Sequence, residues 1–310
     1  MRILLWHVHG SWTTAFVQGT HQYLVPVTPD RGPDGRGRAL TWDWPSSVVE
    51  VTPEEAKRAD IDLVLLQRPE ELESLAESWT GRRPGRDVPA VYLEHNTPGG
   101  LAEGARHPAA DNHRLQLVHV TPFNDLYWDS GSTPTTVIEH GIVDPGYQYR
   151  GSLPRAVAVI NDPCTRRWTT GADLVEEFRD TAPVDLFGMR SGPLEGEELP
   201  QRQLHREMAG RRVYLHANRW TSLGLSLIEA MHLGMPVVGT AATETAEAVP
   251  ADAGIVSNDT KLLREAMRRL IEDPDEARSM GHRARQAALH RYGLKRFLDD
   301  WDHLMEEVTR

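Results

Sequence analysis

The chain of 310 residues contains one cysteine, three lysines and no uninterrupted apolar run of eighteen residues. The lone thiol, Cys164, closes no internal disulfide and builds no cysteine zinc cluster; it reads as a small buried side chain in a protein of the reducing cytoplasm. Without a long apolar run no transmembrane helix is expected, and the opening MRILLWHVHG reads as a first strand rather than a secretory leader. There is no Gly-x-Gly-x-x-Gly after that strand, no Walker loop and no His-Glu-x-x-His, which removes the usual support for NAD, ATP and zinc-hydrolase chemistry. The fourteen histidines are scattered. Basic residues number 34 against 45 acidic, a net charge of −11, so nothing draws the whole surface to nucleic acid or anionic lipid. A phosphate-bearing small molecule remains compatible with a local basic pocket.

What is present is globular: 39% hydrophobic and 25% charged residues, with 25 Gly and 21 Pro. Short apolar runs recur at residues 3–8, 48–51, 61–66, 88–93, 115–120 and 136–138. Several lack alternation, as strands buried on both faces of a parallel sheet do. A second series lies at 156–160, 184–187, 213–216, 236–239 and 254–256, with helical patterns at 173–179 and 223–232 between its members. Two α/β domains are expected, at 1–150 and 151–310, with ligand at the carboxyl ends of the strands between them. The tail from Thr260 is helical, with Leu263, Met267, Leu270 and Ile271 on one stripe. Residues 28–38, TPDRGPDGRGR, concentrate Pro, Gly and charge, and predict a mobile surface loop.

The richest segment is RWTSLGLSLIEAMHLGMPVV, residues 219–238. Thr221 or Ser222 can cap a helix, Leu223, Leu227, Ile228 and Met231 mark its buried face, and Gly234 ends it before Pro236. Glu229 stands inside this apolar helix, and a buried carboxylate is costly unless something bonds to it. Two vicinal ribose hydroxyls would serve. The amides around Gly224 and Leu225, at the positive end of the helix dipole, suit a diphosphate, and Gly224 lets a ligand approach the backbone.

These features resemble the retaining, nucleotide-sugar-dependent glycosyltransferases of family four, whose GT-B fold has two Rossmann-like domains facing across a cleft. The order HVHGSW, VYLEHNTP, VIEHGIVDPG, signature helix and helical tail agrees over nearly the whole chain. The resemblance implies a ribose-binding role for Glu229 and a place beside the donor sugar for His95, which with Thr221 makes up the expected catalytic pair. Thr221 occupies the position of the family's first glutamate, a departure. Where the family places an arginine and a lysine for the diphosphate, this chain has NDPCTRRWTTG, with Thr170 at the lysine position, so Arg166 and Arg167 are the candidates and Arg219 a reserve. Gly10 and Ser11 follow the first strand, where backbone amides can meet phosphate. Thr243 and Glu244 lie on the loop after the next strand, as further candidate donor contacts.

The expected activity is therefore hexosyl transfer from a nucleoside-diphosphate sugar to an unidentified acceptor with retention of configuration, in the cytoplasm, without a metal or other cofactor. Asp60, Ile61 and Asp62 spell Asp-x-Asp but precede a strand, where a metal-holding pair would follow one. The tryptophans at 42, 44, 79, 128, 168 and 220 read as core or cleft wall. Two other readings share the fold: a non-catalytic sugar-nucleotide-binding subunit, which Thr221 favours, and a sugar-nucleotide epimerase or phosphorylase. The phosphorylase needs a cofactor-bearing lysine, and Lys57, Lys261 and Lys295 lie in no such motif.

Overall fold

The computed structural model describes residues 1–99 and 105–310. The chain divides into two compact units, residues 1–143 with 294–310, and residues 144–293. The last helix therefore belongs with the first unit rather than the second, and the division falls at Asp144 rather than at 150.

In the first unit the order is β1 (Arg2–Leu5), α1 (Gly10–Phe16), β2 (Gln22–Pro26), β3 (Val48–Val51), α2 (Pro53–Arg58), β4 (Leu63–Leu66), α3 (Ala76–Thr80), β5 (Ala90–Glu94), β6 (Gln116–His119), α4 (Pro122–Tyr127) and β7 (Thr135–Val137). All pairings are parallel, in the spatial order β3-β2-β1-β4-β5-β6-β7. β4 is buried at all four positions, as an unalternating Leu-Val-Leu-Leu run predicts. The sequence pattern missed β2, QYLVP: its apolar core is three residues long and ends at Pro26, which the edge of a strand tolerates. From β1 the chain runs outward to β3, then returns to β4 on the other side. The carboxyl ends of β1 and β4 are thus a topological switch point.

The second unit runs β8 (Leu153–Val159), α5 (Arg167–Thr170), α6 (Ala172–Arg179), β9 (Val184–Phe187), α7 (Gln201–Gly210), β10 (Arg211–His216), α8 (Leu225–Leu233), β11 (Val237–Thr240), α9 (Thr245–Ala248), β12 (Gly254–Ser257), α10 (Thr260–Glu272) and α11 (Pro274–Arg291). Its five strands are parallel in the order β12-β11-β10-β8-β9, so the switch point lies between β8 and β10. The tail stripe of Leu263, Met267, Leu270 and Ile271 packs into this unit's core. At the amino end of the first sheet, away from the switch point, Asp62 accepts from the Arg2 amide at 2.6 Å and Asp60 pairs with the Arg2 guanidinium at 3.1 Å, so Asp-x-Asp is a strand anchor.

Residues 28–38 are not a free loop. Arg31 pairs with Glu50 at 2.9 Å, Arg68 with Asp34 at 3.0 Å, the Trp6 indole donates to the Asp34 carbonyl at 3.0 Å, and Arg38 donates to the carbonyls of Trp44, Pro45 and Val48. The charges that suggested solvent are spent on strand ends.

The closing helix, α12 (Leu294–Val308), lays Phe297 and Trp301 against Trp12 and Phe16 of α1, with ring centroids 5.2–5.9 Å apart in edge-on geometry. Arg296 donates to the Glu139 and His140 carbonyls at 3.1 and 2.5 Å, and a Cβ at Gly141 would collide with Phe297. The end of the chain thereby fixes the segment after β7. Truncating Trp301, which is fully buried, to alanine removes the keystone of this aromatic cluster. A loss of about 3–5 kcal/mol is expected, read as an earlier unfolding transition of the first unit in urea.

Candidate functional site

In the second unit the loops leaving β8 and β10 meet at the switch point. The Thr169 carbonyl accepts from the amides of Arg219 and Trp220 at 2.9 and 3.1 Å, joining the two loops. Gly171 makes this approach possible: its φ is +69° and a Cβ would collide with the Ala217 carbonyl. The loop after β11 joins them, because the Thr243 hydroxyl donates to the Thr221 carbonyl at 2.6 Å and the Glu244 amide to the Ser222 carbonyl at 3.4 Å. Thr243 holds φ at +51°, a left-handed conformation that costs a β-branched residue about 1–3 kcal/mol.

Helix α8 opens into this junction. Its N-cap is Gly224, not Thr221 or Ser222, and no side chain caps it, so the amides from Leu225 onward have no side-chain partner. A Cβ on Gly224 would stand 2.9 Å from the His216 ring, so glycine is required for this entry angle. Thr221 accepts on its hydroxyl from the Asn218 side-chain amide at 3.0 Å. Glu229 is 4% exposed, one turn into the helix, with its carboxylate 3.5 Å from the His205 imidazole of α7.

The arginines divide. Arg219 is a strut, bonded to both oxygens of Asp173 at 2.7 and 2.8 Å and lying 5.7 Å from the Trp168 ring. Arg167 pairs with Glu176. Arg166 is exposed and forms no ion pair among the described residues, which leaves its guanidinium for an anion. Beside it Trp168 is 64% exposed, unlike the buried Trp44 and Trp79. Cys164 is also exposed on this loop, its thiol 3.2 Å from the Ser191 carbonyl, so the expectation of a buried side chain fails: an irregular strand-exit loop has no core to bury it in. Glu244 is buried and committed to a pair with the half-buried Arg291 at 2.9 Å.

In the first unit the corresponding ends carry imidazoles. His9 caps α1 before Gly10 and Ser11, and Trp42 covers Gly10. The His9 ring lies 4.0 Å from that of His95, which follows β5; His140, after β7, stacks 6.3 Å from His95. His95 donates from Nε2 to Gln67 at 3.1 Å and meets the edge of Trp12 at 5.3 Å. Burial, then the neighbouring imidazoles, hold His95 well below its ordinary range, and burial first holds His140 down to about 3. The sequence reading placed His9 on the loop after the first strand and found His95, but not its partners Gln67 and His140; the readable signal was that each follows a strand of the same sheet. Among the described residues no three His, Cys, Asp or Glu side chains are grouped to hold a metal ion, and no helix is long and apolar enough to cross a membrane.

Residues 197–287, from the loop before α7 into α11, match the family model described as Glycosyl transferases group 1. No curated protein matches the chain by sequence. Among solved structures, sucrose-phosphate synthase from Thermosynechococcus elongatus aligns over 99% of both chains with a TM-score of 0.75 and 13% identity. Anabaena HepE in complex with UDP aligns over 99% of both at 0.71 and 14%. AviGT4, a glycosyltransferase involved in avilamycin A biosynthesis, covers 100% of this chain and 98% of its own at 0.66 and 16%. The fold is GT-B. In the first unit His9 and Gln67 follow the switch-point strands and lie against His95 after the adjacent β5, and in the second the loops after β8, β10 and β11 meet at the start of α8.

A pH dependence of stability follows from the buried rings. His216, at the end of β10, is held by burial at about 4 against 6.5 when unfolded. Between those values the unfolded chain binds a proton that the native ring refuses, so stability is full above 6.5 and falls on acidification, by roughly 1.4 kcal/mol per pH unit for this ring. His216→Phe, which keeps a ring stacked on Tyr214, should shallow the decline in the urea midpoint between those pH values.

Proposed function

We propose that the chain transfers a sugar from a nucleoside-diphosphate sugar to an acceptor. The observation that supports this is that residues 197–287, which match glycosyl transferases group 1, contain the uncapped start of α8 with Glu229 one turn on, while Arg166 is exposed on the loop after β8 without an ion pair among the described residues. On this reading the amides of Gly224 and Leu225 and the Arg166 guanidinium receive the diphosphate, and Glu229 receives the ribose hydroxyls. Arg167, Gly10 and Ser11 are secondary phosphate contacts, and Arg167 must leave Glu176 to serve. Within the first unit, His95 is the proposed contact for a sugar hydroxyl.

Departure of the nucleoside diphosphate leaves positive charge at the anomeric carbon, and the reaction depends on stabilising the leaving oxygens. Attack by the acceptor hydroxyl on the face that the phosphate leaves, with a phosphate oxygen taking the proton, would retain configuration and make this a family-four-like hexosyltransferase. It asks for no metal and suits a cytoplasmic enzyme. Thr221 supplies no carboxylate, and its hydroxyl is engaged with Asn218. That observation favours a second reading, a sugar-nucleotide-binding subunit without turnover.

Thermal melting against nucleoside diphosphates and their sugars tests the binding site. A ligand at one hundred times its Kd should add about 2.7 kcal/mol. Glu229→Ala and Arg166→Ala should each diminish that shift; a panel in which nothing stabilises the wild type sinks the nucleotide-sugar reading. Release of nucleoside diphosphate during incubation with the stabilising donor separates enzyme from binder, because a binder raises the melting temperature and consumes nothing.

A further inference from the structure

Gln67, at the exit of β4, is 3% exposed and fixed at both ends. Its backbone amide donates to the fully buried Glu71 at 2.7 Å, and Glu71 is held by Arg68 at 2.7 Å within the wide turn Glu71–Leu75. Its side-chain amide nitrogen donates to the Trp6 carbonyl at 2.9 Å. A carbonyl oxygen only accepts, so the nitrogen must face Trp6 and the amide oxygen must face His95. That oxygen, 3.1 Å from His95 Nε2, also only accepts, so Nε2 must carry the hydrogen.

We propose that Gln67 is a positioning residue that fixes the His95 imidazole in its Nε2–H form and leaves Nδ1 as a bare acceptor for a hydroxyl hydrogen of the substrate. This rests on the reading of His95 as a substrate contact. The second ring proton is refused because the ring is buried beside His9, at 4.0 Å, and His140, at 6.3 Å. Nδ1 has no hydrogen-bond partner among the described residues. A lone pair there accepts from a sugar hydroxyl and repels a carboxylate or carbonyl oxygen, so the site favours a group with a hydrogen to donate.

The test uses protein labelled with heavy nitrogen in its histidines, the His95 ring signals being those lost in His95→Gln. Nuclear magnetic resonance of the ring nitrogens then shows which one is protonated. In the wild type the proton is expected on Nε2 at neutral pH. Gln67→Leu should spread it over both nitrogens, while Gln67→Glu, which still offers Nε2 an acceptor, should keep it in place. UDP-glucose should move the Nδ1 signal and UDP alone should not. Turnover should fall roughly tenfold in the leucine variant, an unmade buried hydrogen bond's worth, and recover in the glutamate variant. A wild-type ring protonated on Nδ1, a leucine variant with unchanged tautomer, or an equal Nδ1 shift from UDP alone overturns the proposal. The expected tautomers without any sugar transfer would support the positioning role and count against the transferase reading instead.

Discussion

The side-by-side pairing of β8 and β10 is the constraint on which the second unit's chemistry depends. From β8 the chain crosses to β9 on one side, and from β10 it proceeds to β11 and β12 on the other, so no crossover covers the shared carboxyl end of the pair. Two loops and one helix start are left facing an opening. Their backbone polar groups have to be satisfied by each other or by a ligand. The bonds from Thr169 to Arg219 and Trp220, and from Thr243 to Thr221, do the first job and leave the start of α8 for the second.

The first unit repeats the geometry with different chemistry. At its strand exits the side chains are imidazoles, and burial lowers the pKa of His95 and His140. Their burial comes from far along the chain: α12 brings Phe297 and Trp301 onto Trp12, whose ring edge meets His95, and Arg296 holds the carbonyl of His140. A helix some two hundred residues after His95 thus sets the dielectric in which that ring works. The low pKa values of His140 and His95 are consequences of the same packing.

The strands were legible because parallel sheets bury both faces and write themselves as apolar runs; β9, at Val184–Phe187, coincides with its predicted run. Helix α8 was legible from its apolar face and Gly234, but its start was displaced by two residues, because the close approach of His216 demands Gly224 there and propensity carries no knowledge of that neighbour. The 28–38 loop misled for the opposite reason. Its arginines look solvated in sequence, yet Arg31 finds the Glu50 carboxylate on β3 and Arg38 the carbonyls that precede that strand. Gln67 could not be found at all: an amide at a strand end is ordinary until Trp6 and His95 are seen on either side of it.

Two positions where the sequence departs from the resemblance both carry threonine. Thr170 replaces an expected ammonium and Thr221 an expected carboxylate, so the loops lose one charge of each sign. The threonines are absorbed locally instead, Thr170 donating to the Arg166 carbonyl at 2.9 Å and Thr221 accepting from Asn218. What survives is the unpaired guanidinium of Arg166, on an exposed loop where holding a charge in water is cheap until an anion arrives. On the proposed reading, phosphate binding at this junction then rests on Arg166 and backbone amides.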